Sequence, residues 1–97
     1  VYNRPNPFSA PDEKTEIIYT LDRDADVKIE IYTLLGNLVK KFSFSSGEVG
    51  ARKGENIVEW DGRNGDTRVV ANGAYIVLIT VEASIKETVI RKIGVLK

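Results

Sequence analysis

The acidic side chains are the groups in this chain best placed to do chemistry. Asp22, Asp24 and Asp26 alternate along one segment, and Glu59, Asp61 and Asp66 gather around another. A calcium loop needs oxygen ligands at about this spacing, and a glycosidase needs two carboxylates flanking a cleft. Neither pattern is complete. The aspartate trio has no downstream glycine and glutamate to finish a calcium loop. The second group lacks the dense oxygen spacing of one. A small fold filled by valine and isoleucine also leaves little room for a cleft. Asp61 and Asn64 are expected to bond local backbone in a turn, with Gly62 and Gly65 in unusual φ/ψ regions.

Two absences narrow the chemistry further. The 97 residues contain no histidine and no cysteine. That removes Ser-His-Asp and Cys-His nucleophiles, His-based zinc sites, thiolate metal sites and disulfides. The expectation is a non-enzyme with no cofactor and no metal. Fourteen basic and fourteen acidic residues cancel, whereas a nucleic-acid binder shows a basic surplus. Lys40-Lys41 and the basic residues near the C-terminus (Lys86, Arg91, Lys92, Lys97) have acidic neighbours and are expected to be solvated. No apolar run approaches the length of a membrane span. Methionine is absent even at position 1, so the chain is expected to be a piece of a longer protein, with any export signal elsewhere.

Periodicity shows which elements hold these groups. Ile17, Tyr19 and Leu21 share one face of Thr15 to Leu21, opposite Glu16, Ile18 and Thr20. Val27, Ile29 and Ile31 share one face of Asp26 to Thr33. Alternation of this kind marks half-buried strands. Leu35-Gly36-Asn37 breaks the run, and Leu38 to Phe44 returns as a hairpin partner. Ser45 to Glu55 has three glycines and no apolar period, and is expected to be a mobile hairpin connection. Asn56 to Trp60 is a strand with Val58 and Trp60 inward. Ala74 to Ala83, apolar on both faces, is a central strand, and Glu87 to Leu96 closes the chain. Asn6 to Ser9 would supply a short edge strand, which suits Pro5 and Pro7. No segment carries an amphipathic helical period. The reading is an all-β sandwich of about seven antiparallel strands in a single domain, residues 1–97.

Three separated segments carry a resemblance. They are Asn3-Arg4-Pro5-Asn6-Pro7-Phe8 with Thr15 to Leu21; Val27 to Tyr32 with Leu35-Gly36-Asn37-Leu38-Val39; and Trp60-Asp61-Gly62-Arg63-Asn64 with Val70-Ala71-Asn72-Gly73-Ala74-Tyr75, ending at Arg91 to Lys97. Their order and spacing resemble the immunoglobulin-like domain of flagellar hook-capping proteins. They equally resemble the C-terminal sorting domain of type IX secretion cargo. The Pro-x-Pro start and the basic last strand lean toward the sorting branch. The long connection Ser45 to Gly54 departs from it and leaves room for a plain accessory module.

The resemblance implies an immunoglobulin-like fold and a non-catalytic sorting or anchoring module at the C-terminus of a secreted or cell-surface bacterial protein. The alternative is a structural or adhesive spacer beside a catalytic or binding domain. Protein partners are implied, either secretion machinery or neighbouring domains, with no nucleic acid and no membrane insertion. The positions carried over for recognition are Pro5, Pro7, Gly73, Tyr75, Lys92 and Lys97. Among these the glycine would hold a turn, the tyrosine would pack, and the basic end would stay exposed.

Overall fold

The computed structural model describes residues 2–10, 12–82 and 87–95. Among them are seven strands and no helix: β1 (Tyr2–Arg4), β2 (Thr15–Leu21), β3 (Asp26–Thr33), β4 (Leu38–Phe44), β5 (Gly54–Trp60), β6 (Gly73–Glu82) and β7 (Glu87–Val95). They form two antiparallel sheets, ordered β1-β2-β5 and β4-β3-β6-β7. The expected strand ends Ala83 and Leu96 lie outside the described residues.

Alternation becomes burial directly. Ile17, Tyr19 and Leu21 of β2 and Val58 and Trp60 of β5 face Val27, Ile29 and Ile31 of β3 across the core. Tyr75, Val77 and Ile79 of β6 and Ile93 and Val95 of β7 complete it. Each wholly buried Val or Ile stabilises the fold by about 1.5–3 kcal/mol relative to an exposed one. β6 sits between β3 and β7 in register, with Ile29 opposite Ile79 and Ile79 opposite Val89. Its outward residues Ile76 and Leu78 are half-buried, which explains its two-sided apolar reading.

Three expectations need correction. Asn6 to Ser9 is not a strand, and the first strand is Tyr2–Arg4, paired with β2 at the sheet edge. Prolines at two alternate positions remove two of the amides a ladder needs. Only Phe8 pairs, through an isolated parallel bridge to Val95. Secondly, Ser45 to Glu55 is not a hairpin connection, because β4 and β5 lie in different sheets. Asp22 to Ala25 likewise crosses between sheets, carrying the chain from β2 to β3. Alternation specifies a strand's faces but not which strand lies beside it.

The third correction concerns mobility. Residues 45–53 are bonded throughout: Ser46 N–H donates to Asp26 Oδ1 (2.8 Å), Lys53 N–H to Asp24 Oδ1 (2.7 Å), and Ala25 N–H to Ala51 O (3.3 Å). The Tyr19 hydroxyl donates to Gly50 O at 2.5 Å, and Ala51 is completely buried. Burial pushes the Tyr19 phenol up to about 12. Two of the three alternating aspartates thus accept from loop amides.

Candidate recognition surface

The ladders fix which segments share an end of the sandwich. Thr33 lies opposite Tyr75, Gly73 opposite Val95, and Thr15 opposite Trp60. The β3–β4 turn, residues 5–10 and 12–14, residues 61–72 and the end of β7 therefore meet at one end. The connections 22–25 and 45–53 occupy the other.

An aromatic trio underlies the first end. Trp60 meets Phe8 edge-on at 5.6 Å and Tyr75 edge-on at 5.9 Å. Such pairs contribute about 0.5–1.5 kcal/mol beyond their burial. The Trp60 indole N–H donates to Arg63 O (2.9 Å), and the Tyr75 hydroxyl to Ala71 O (2.6 Å). Burial raises the Tyr75 phenol above its usual value. These bonds tie residues 61–72 to the core from both sides.

Within that turn, Asp61 Oδ1 accepts from Arg63 N–H, while Asn64 Oδ1 accepts from the amides of Asp66 and Arg68. Gly62 has φ +76°, and a Cβ there would collide with Ala10 Cβ. Gly65 does not share this geometry. The second left-handed residue is instead Thr67 at φ 65°, whose neighbours are held by Asn64.

Residues 5–8 form a strap from one sheet to the other. The Pro5 carbonyl accepts from Thr15 Oγ1 (2.9 Å). The Asn6 side chain receives Gly94 N–H (2.8 Å) and donates to Lys92 O (3.2 Å). Phe8 N–H then reaches Gly94 O (3.1 Å). Pro7 lies so close to Gly94 that a Cβ there would come within 3.1 Å of Pro7 Cβ.

The expected recognition residues therefore converge on this end. Pro5, Pro7 and Lys92 are exposed beside the strap, and Gly73, also exposed, opens β6 at φ +151°. Tyr75 is buried and packs. Lys97 lies outside the described residues.

Three residues at the same end were not singled out from the sequence. Leu34, Leu35 and Leu38 are 60%, 91% and 53% exposed, around a turn closed by Thr33 N–H to Asn37 O (2.9 Å) and Gly36 N–H to Thr33 O (3.0 Å). The Thr33 hydroxyl also accepts from Asn37 N–H (3.1 Å). Two adjacent leucines in a tight turn were the available signal, since polar residues normally fill that place.

An open depression lined by Arg4, Pro5, Asp12, Lys14, Glu16 and Glu59 has walls held by exposed pairs, Arg4–Glu16 at 3.5 Å and Lys14–Glu59 at 3.4 Å. Among the described residues no three acidic side chains gather as a metal site.

A two-sheet sandwich with these Trp-Asp-Gly and Asn-Gly-x-Tyr turns is an immunoglobulin-like module. Residues 6–85 match the FlgD Ig-like domain family, and the chain belongs to that family. Solved structures agree with the fold. One is FlgD from P. aeruginosa, with TM-score 0.68 and 13% identity over 88% of this chain and 66% of that one. Another is PorZ, described as an essential surface component of the type IX secretion system of Porphyromonas gingivalis. It aligns with TM-score 0.67 and 22% identity over 99% of this chain. The chain spans under two thirds of the FlgD structure's length and 11% of PorZ. No curated protein matches the sequence.

Proposed function

We propose that the chain is a non-catalytic protein-recognition module of a secreted or cell-surface bacterial protein, acting in sorting or anchoring at that protein's C-terminus. The observation that carries this reading is the hydrogen-bonded leucine turn between β3 and β4, at the same end of the sandwich as the strap-bound end of β7. A preordered apolar tip loses little conformational entropy on docking, and Pro5, Pro7 and Lys92 would rim the contact. PorZ's place in a type IX system makes such machinery the partner to test first. Fused to a reporter in a bacterium with that system, the 97 residues should carry the reporter to the cell surface or medium. A reporter retained in the periplasm would contradict the reading.

A second reading, an accessory module that assembles with neighbouring domains, is favoured by the FlgD family match. Under it the reporter stays in the periplasm, and the domain instead raises the stability or assembly of the protein that carries it.

A further inference from the structure

The sandwich has four strand edges, and three carry a feature that discourages addition of another strand. β1 is three residues long among the described residues. β4 is bulged where Ile31 and Tyr32 pair with Lys40 and Leu38, leaving Val39 as the extra residue, and the Val39 carbonyl accepts from Gly65 N–H (2.9 Å). Lys40 also stands on the core-facing row of β4, its ammonium 5.5 Å from the Phe42 ring. β7 is covered near its end by the Asn6–Phe8 strap. Bulges, inward charges and covering segments are the usual protections of an edge.

β5 has none of these. Its seven residues pair with β2 in unbroken register from Gly54 to Trp60. It contains no proline, and no charged side chain lies on its inward row of Asn56, Val58 and Trp60. Among the described residues, the one further bond to its backbone is from the Asn56 side chain to Gly54 O (3.1 Å). The outward row is Glu55, Ile57 and Glu59, with Ile57 41% exposed, and the exposed Lys53 immediately precedes the strand.

We propose that β5 is the seam of a symmetric dimer, in which two copies join edge to edge, antiparallel, around a two-fold axis at Asn56. The charges select this register. An axis at Ile57 would set Glu55 against the second copy's Glu59 twice, and like charges directly opposite destabilise a sheet. Moving the axis to Asn56 sets Lys53 opposite Glu59 twice and Glu55 opposite Ile57, with Gly54 opposite Val58 on the inner row. Such an interface is isologous, so one favourable pair occurs twice. The result is a continuous six-stranded sheet, β1-β2-β5 followed by its mirror order. Zero formal net charge adds no global repulsion to oppose it.

Sedimentation equilibrium across a wide concentration range tests the seam, independently of the reporter assay. The mass should rise from monomer to dimer. Lys53→Glu should weaken dimerisation roughly tenfold, as should Glu59→Lys, because each turns two attractive pairs into repulsive ones. The double variant Lys53→Glu/Glu59→Lys should recover the original dissociation constant within about threefold. Thermal melts of each variant verify folding, and concentration-dependent amide protection confined to residues 54–59 gives a readout without mutation. A monomer at all concentrations overturns the proposal. So does an unchanged constant in Lys53→Glu, or a tighter dimer in Glu59→Lys, which would point to the axis at Ile57.

Discussion

The two ends of the sandwich handle apolar surface in opposite ways. At the end formed by residues 22–25 and 45–53, polar groups close the structure. Asp24, Asp26 and Tyr19 hold the loop backbone, Ala51 is buried, and among the described residues Val49 is the large apolar side chain left outside. At the opposite end Phe8, Trp60 and Tyr75 are buried as a trio, yet Leu34, Leu35 and Leu38 stand exposed at that same end. A segment that could not pack would be loosely bonded, but the leucine turn is closed by three hydrogen bonds. Under the proposed function, the difference separates a structural end from a presenting end.

The strongest test of that division removes the trio. Trp60→Ala should cost about 3–5 kcal/mol by chemical denaturation, because a large buried ring leaves a cavity and Arg63 O loses its donor. A cost under about 1 kcal/mol would mean the presenting end is not built on the core. At the closed end, Tyr19→Phe should cost about 1–2 kcal/mol, since Gly50 O is left without a partner.

Tyr19 also gives a pH signature. Its folded value of about 12 lies above the ordinary 10.0. The folded state therefore holds the proton more tightly, so its contribution is complete below pH 10 and is lost as pH rises through 12. Urea midpoints should fall across that window, and Tyr19→Phe should flatten the fall. Asp24→Ala should have a smaller effect, about 1 kcal/mol, and should speed hydrogen exchange at the Lys53 amide. Leu35→Ser should be smallest for stability, within about 0.5 kcal/mol, because its side chain is already in water.

Strands were legible wherever apolar residues recur at every second position. Thr15–Leu21, Asp26–Thr33 and Leu38–Phe44 have the limits their alternation indicates. The roles of Asp61 and Asn64 were legible too, because each bonds amides within its own turn. Sheet partners were not. The pattern of β4 and β5 is the same whether they form a hairpin or cross between sheets, and the choice depends on contacts distant in sequence. The knitting of 45–53 was hidden for the same reason, as its bonds run to Asp24 and Asp26 some 20–29 positions away. At the candidate surface, residue type singled out Pro7, Gly73 and Lys92, which the fold places at the end that also carries the leucine turn. It missed Leu34 and Leu35, because exposure of a leucine is a property of the fold.

The most direct measurement places the two ends against each other in the reporter fusion. Leu34→Ser/Leu35→Ser and, separately, Val49→Ser are introduced, with urea midpoints recorded for both. The account predicts that the leucine variant folds with unchanged stability but leaves the reporter in the periplasm, while the Val49 variant is exported like the parent. Export of both to the same extent would contradict the assignment of recognition to the leucine end.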